Sequence, residues 1–155
     1  MPSSAVAQVK AALSAAGVDT ELQPFPEPVP TAAAAAAMLG CEVGAIANSL
    51  VFEAAGQPLL VLASGAHRVD TAKLSERLGT GRIRRATPDF VLEHTGQQIG
   101  GVAPVGHPTQ MRTVVDPDLA AFPVVWAGGG DENTMFATSF EQLLDMTGGT
   151  AIPVA

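Results

Sequence analysis

The sequence predicts an α/β fold: one domain in which a mixed sheet packs against several helices. Three observations carry this. Apolar runs at 46–54 and 58–64 are separated by Ala55-Gly56-Gln57, a hairpin signal that makes one strand pair antiparallel. Other strand-like segments alternate with helical ones, so strands also meet across helices and the sheet mixes directions. No internal repeat and no long linker divides the 155 residues. At this length one domain buries roughly 68% of its unfolded surface and needs neither disulfides nor metals to fold.

In chain order, Ser3 or Ser4 caps a helix running to about Ala16, with Val6, Val9, Leu13 and Ala16 on one face and Gly17 at its end. Val18 to Phe25 alternates as a strand, and Pro24, Pro26, Pro28 and Pro30 then interrupt pairing until Thr31 caps a buried helix over Ala32 to Leu39, closed by Gly40. One more turn at 42–45 leads into the hairpin. Asp70 or Thr71 opens a helix to Leu78, Arg82 to Arg85 is a short strand, and Thr87-Pro88-Asp89 starts a helix through about His94. Strands follow at 113–115, 123–127 and 135–138, with a turn at Asp116-Pro117-Asp118. Ser139 caps the last helix, through about Met146, and residues 152–154 add an edge strand.

No run approaches the roughly 20 apolar residues of a membrane span, so the chain reads as soluble. Met1-Pro2-Ser3-Ser4 puts no basic segment ahead of an apolar one, so no signal peptide is expected and the cytoplasm is the expected compartment. Cys41 is the only cysteine; Glu42 beside it disfavours a thiolate, and a buried inert thiol is expected. The net charge of −7 argues against a general nucleic-acid binder. Six of the eight basic residues nevertheless lie between 68 and 85 (Arg68, Lys73, Arg77, Arg82, Arg84 and Arg85), which leaves two readings open, a solvated face or a limited phosphate contact.

The stretch Gly100-Gly101-Val102-Ala103-Pro104-Val105-Gly106-His107-Pro108 sets three glycines and two prolines in nine residues. Gly admits positive φ and close approach to the main chain, and Pro removes a donor and fixes φ, so the loop is shaped by its backbone and reads as ligand-facing rather than as a plain turn. Asn48 shares strand parity with Ile46, Leu50 and Phe52. It is either a satisfied core amide or a side chain aimed into a pocket. His67, His94, His107 and Cys41 lack metal-site spacing, no Gly-x-Ser-x-Gly elbow occurs, and Gly128-Gly129-Gly130 is not a nucleotide-binding fingerprint, so neither metal nor cofactor is expected. Glycine loops that aim amides at an oxygen atom suit ester binding or hydrolysis.

Four segments stand in order along the chain: Ile46-Ala47-Asn48-Ser49-Leu50-Val51-Phe52; Ser64-Gly65-Ala66-His67-Arg68-Val69-Asp70 with Lys73-Leu74; Gly100 to Gly106; and Trp126-Ala127-Gly128-Gly129-Gly130. Together they resemble the YbaK/aminoacyl-tRNA editing-associated family, which includes prolyl-tRNA deacylases and the editing insertion of bacterial prolyl-tRNA synthetases. The resemblance spans nearly the whole chain. It implies one editing domain over 1–155 with a curved, partly barrel-like mixed sheet, and a trans-acting deacylase that clears a small non-cognate amino acid from proline tRNA. Asn48, Gly100, Gly101 and Val102 would act at the ester. Ser49, Ala66, His67, Pro104, His107, Gly128, Gly129 and Gly130 would bind the substrate, while Arg68, Lys73, Arg82 and Arg84 touch the tRNA. The implied partners are the acceptor end of an aminoacyl-tRNA and prolyl-tRNA synthetase. The family commonly has Lys where Asn48 stands, and an amide donates a hydrogen bond without supplying charge. The alternative reading is therefore a non-catalytic binding or regulatory module.

Overall fold

The computed structural model describes residues 4–29 and 31–155, so the Ser3 alternative for the first cap and the fourth proline, Pro30, lie outside the described residues. The helices are α1 (Ser4–Ala15), α2 (Ala32–Leu39), α3 (Thr71–Leu78), α4 (Pro88–Thr95) and α5 (Phe140–Thr147). The strands are β1 (Leu22–Pro24), β2 (Ile46–Ala54), β3 (Gln57–Ser64), β4 (Ile83–Arg85), β5 (Arg112–Val115), β6 (Val125–Gly128), β7 (Thr134–Thr138) and β8 (Thr150–Ala151). They form one mixed sheet in the order β1-β7-β6-β2-β3-β5-β8, with β4 added beside β2.

The β2–β3 hairpin is the centre of this sheet. Its register pairs Ala54 with Gln57, leaving Ala55 and Gly56 as a two-residue loop, both at positive φ (52° and 80°). Such loops match the twist of the flanking strands, and Gly56 takes its conformation freely where Ala55 does not. β3 alternates Leu60 and Leu62 into one core with Leu59, Val61 and Ala63 into another, so it is buried on both faces. The larger core joins Val9 and Leu13 of α1, Val91 of α4 and Leu143 of α5 to Phe136 and the 102–111 segment. The other joins Leu74 of α3, Ile83 of β4 and Val154.

Local chemistry sets the helix ends as expected. Thr31, Asp70, Thr87 and Ser139 each accept a hydrogen bond from the amide three residues on, at 3.1 to 3.2 Å. Gly40, Gly79, Gly96 and Gly148 close helices in the left-handed conformation.

Four expectations differ. The 18–25 strand contracts to β1, an edge strand on β7 whose Pro24 needs no further ladder partner. α2 buries only Ala35 and Ala36, one face rather than the whole helix. The 116–118 turn extends into a 3-10 turn, Pro117–Ala121. The last strand is β8, pairing with β5, and not 152–154; Val154 instead packs into the second core and its carbonyl accepts from Asp70 N at 2.8 Å.

Candidate active site

One edge of β2 is paired along its length with β3; the opposite edge is shared by two strands. β6 takes Ile46 and Ala47 in parallel, and β4 takes Phe52, Glu53 and Ala54 antiparallel. Among the described residues, no strand pairs with 48–51 on that side. A cleft of about 920 Å³ opens there, with every residue from Ile46 to Phe52 in its wall.

Which backbone groups face the gap follows from the ladder. Ile46 O accepts from Gly65 N at 2.8 Å on the β3 side, while its own N–H closes the preceding turn on Val43 O; the carbonyl of 46 and the amides and carbonyls of 48, 50 and 52 therefore turn toward β3 and those of 47, 49, 51 and 53 turn away. Ser49 and Val51 therefore direct N–H and C=O into the cleft. The Asn48 side chain, half-buried in the cleft wall, has no hydrogen-bond partner among the described residues. Of the two sequence readings, the satisfied core amide is thereby set aside. The hydroxyl of Ser49 is buried and also without a partner.

The glycine loop supplies another part of the wall through Gly100 and Val102, and it is held by internal bonds. Gln97, 1% exposed, donates from Nε2 to Val105 O at 3.2 Å and accepts from Ala103 N at 2.7 Å. Its neighbour Thr95 donates to Val91 O at 2.6 Å and accepts from Gln97 N at 2.9 Å. Close approach explains two of the glycines. A Cβ on Gly101 would lie 2.5 Å from the Asp131 carbonyl carbon, and one on Gly128 would lie 2.8 Å from Val102 O, so the two glycine-rich segments meet backbone to backbone.

The structure divides the residues expected at the site. Asn48, Ser49, Gly100, Val102, Gly128 and Arg68 line the cleft. Gly101 lies behind its wall with its N–H donated to Gln98 O at 3.1 Å, so it has no free amide for an oxyanion. Gly129 and Gly130 are buried, the first with its N–H on Thr134 O. Pro104 and His107 line a separate hollow of about 200 Å³, and His107 Nε2 is 2.8 Å from Ala103 O. Ala66 is exposed on the turn after β3. His67 sits between two carboxylates, Nδ1 2.7 Å from Asp116 and Nε2 2.9 Å from Asp118. These three are a grouping of possible metal ligands that sequence spacing did not foreshadow. Both ring nitrogens are engaged by the acids, so the cluster reads as a clamp on the Ser64–Arg68 turn. Lys73, Arg82 and Arg84 are exposed, and Arg84 pairs with Glu53 at 3.0 Å.

Charge in the cleft is split. Arg68 and Arg85 line it without an ion pair among the described residues, as do Asp131 and Glu132. Asp131 accepts from Asn133 N at 2.9 Å and from Thr134 Oγ1 at 2.8 Å, while the Glu132 carboxylate lies over Gly100. Sequence reading placed Arg85 in the basic stretch without a site role, and it passed over Gln97 because a buried Gln has no pattern. Burial holds the His107 imidazole below its usual 6.5, against a smaller opposing effect of the Ala103 carbonyl. Cys41 is half-buried rather than buried; desolvation, with Glu42 adding to it, raises its thiol above the usual 9.0 against its own backbone hydrogen bond.

The family model for the aminoacyl-tRNA editing domain matches residues 26–146, which include β2, the glycine loop and β6–β7. The chain belongs to that family. As an editing domain it is similar to a solved structure of a candidate trans-editing enzyme for prolyl-tRNA synthetase, at 38% identity and a TM-score of 0.93, over 99% of this chain and 98% of that one. It is 32% identical over 114 residues to the uncharacterized protein YwhH of Bacillus subtilis, covering 73% of this chain and 72% of that protein. It is also 32% identical over 84 residues to the proline–tRNA ligase of Geobacter sp., covering 54% of this chain and 15% of the ligase. The editing domain thus corresponds to a small part of the ligase, and the similarity to the solved structure runs end to end. Among the described residues no helix is long and apolar enough to cross a membrane.

Proposed function

We propose that this editing domain is a trans-acting aminoacyl-tRNA deacylase that hydrolyses the ester joining a small non-cognate amino acid to the 3′ end of proline tRNA. The observation that carries the reading is the gap in the sheet. Beside it, in one cleft, lie the Asn48 amide and two arginines, none with a side-chain partner among the described residues, together with Gly100, Val102 and two carboxylates. Each fits a different part of an aminoacyl-nucleotide end. Arg68 and Arg85 suit its phosphates, and Glu132 suits the α-ammonium of the amino acid. The Val102 amide and the Asn48 side chain donate to the ester carbonyl as it becomes an oxyanion.

The chemistry is a water addition. Water attacks the ester carbonyl, the tetrahedral oxyanion rests on those donors, and collapse expels the ribose oxygen, which takes up a proton as the free amino acid leaves. Among the described residues no histidine or lysine lines the cleft. A carboxylate of the site or a hydroxyl of the substrate therefore receives the proton from water. Discrimination follows from size: a cleft closed by Ile46, Ala47 and Val102 rejects a larger side chain sterically, a difference of about 1–3 kcal/mol per methylene.

The second reading, a binding or regulatory module without catalysis, draws on the neutral Asn48. Deacylation assays on proline tRNA charged with alanine, cysteine, serine or 2-aminobutyrate separate the two. The deacylase reading expects turnover of at least one of these and sparing of prolyl-tRNA. Retained tRNA binding with no hydrolysis of any would sink it in favour of the module.

A further inference from the structure

The unpaired stretch of β2 offers a recognition pattern that the ester chemistry leaves unused. Between the last residue paired with β6, Ala47, and the first paired with β4, Phe52, four residues have no strand partner on this edge among the described residues. Along it the groups facing the cleft run in the order Ser49 N–H, Ser49 C=O, Val51 N–H and Val51 C=O. The middle two form an acceptor followed by a donor. A gap of four residues, closed at each end by a strand, is shorter than the five or six residues of a typical strand, which disfavours an added peptide.

The Watson–Crick edge of adenine is the complement of that middle pair. Its exocyclic N6 amine donates and its ring N1 accepts, side by side in one plane. Hypoxanthine reverses both, with an acceptor at O6 and a donor at N1. Cytosine shares adenine's order, but the scissile ester of an aminoacyl-tRNA is carried by the terminal adenosine, which is the nucleoside brought against Asn48. Arg85 and Arg68 line the same cleft and suit the adjoining phosphate. Ile99, 50% exposed at the cleft, offers the base an apolar contact. Unstacked bases are commonly read in this way, by an edge hydrogen-bonded and a face packed.

We propose that the free edge of β2 reads the terminal adenine of the tRNA, Ser49 C=O accepting from the N6 amine and Val51 N–H donating to N1. Val51 and Ser49 are thus specificity-determining through their backbone, and their side-chain identities matter little to the base. The proposal rests on the deacylase reading for the presence of a tRNA end in the cleft.

Because the contacts are main-chain, the decisive variation is in the substrate. Minihelices ending in CCA are charged chemically with one small amino acid, with the terminal adenosine kept, replaced by purine riboside, or replaced by inosine. The expected order of kcat/KM is adenosine, then purine riboside, then inosine. The inosine substrate should fall roughly 10- to 100-fold, mainly through KM, as expected when two adjacent base-edge hydrogen bonds are lost. Equal rates for adenosine and inosine would overturn the proposal and leave the edge to another occupant. If no minihelix is hydrolysed, the deacylase reading fails by itself. Equilibrium binding of the uncharged adenosine- and inosine-ended minihelices then decides the edge: tighter adenosine binding upholds it and equal binding overturns it.

Discussion

The two walls of the cleft solve opposite problems. The 97–108 loop, which lines the cleft with Ile99, Gly100 and Val102, is closed on itself: Gln97 ties Ala103 to Val105, His107 returns to Ala103, Gly101 donates to Gln98, and the chain abuts the 128–131 segment backbone to backbone. The β2 wall is open, with an amide side chain, a buried hydroxyl and four backbone groups left without partners among the described residues. A rigid, satisfied surface faces an unsatisfied one. The Ser49 hydroxyl is the one buried atom among them; the Asn48 amide and the strand-edge groups open to the cleft, where a ligand can supply their partners.

The largest effect comes from opening the closed wall. Gln97→Ala strands the Ala103 amide and the Val105 carbonyl and should cost about 2–4 kcal/mol of unfolding free energy, measured by urea titration. A loss below about 0.5 kcal/mol would mean that the loop is not organised by this side chain. On the open wall the separation between activity and stability reverses. Asn48→Ala should lower deacylation roughly 10- to 100-fold while moving stability by less than about 1 kcal/mol. Asn48→Lys should lower or redirect activity, and an unchanged rate and preference would remove the residue from the site.

A smaller effect comes from His107. Its folded-state affinity for a proton is lowered by burial, so below pH 6.5 the unfolded chain takes up a proton that the folded ring resists. Stability contributed by the neutral ring is present above that pH and falls as the solution is acidified toward the lowered folded value. His107→Gln should flatten this part of the stability–pH profile. The smallest effect is expected from Ser49→Ala. Removing a buried hydroxyl that has no partner should leave stability unchanged or raise it by up to about 1 kcal/mol. A destabilisation larger than that would show that the hydroxyl is bonded in the folded protein.

Much of the fold is legible in the sequence because its signals are local. The four cap residues, the closing Gly40 and the hairpin around Gly56 state their roles within a few positions. The family resemblance also brought β2 and the glycine loop to one site before any coordinates. What could not be read is long-range pairing. That β6 and β4 share one edge of β2 and leave 48–51 bare depends on strands about 30 to 80 residues away in sequence. Glycine content marks 100–108, where Gly101 is required by close packing against Asp131; Gly128 packs as tightly against Val102 and also lines the cleft. His107, the residue in that loop with the most familiar chemistry, is turned to its own backbone.

The most direct measurement is an amide chemical-shift map of the protein titrated with a non-hydrolysable, amide-linked aminoacyl-adenosine. The largest shifts should fall on Asn48, Ser49, Val51, Gly100 and Val102, with the Gly106–His107 hollow unmoved. Shifts centred on that hollow, with β2 unaffected, would contradict the placement of the site at the gap in the sheet.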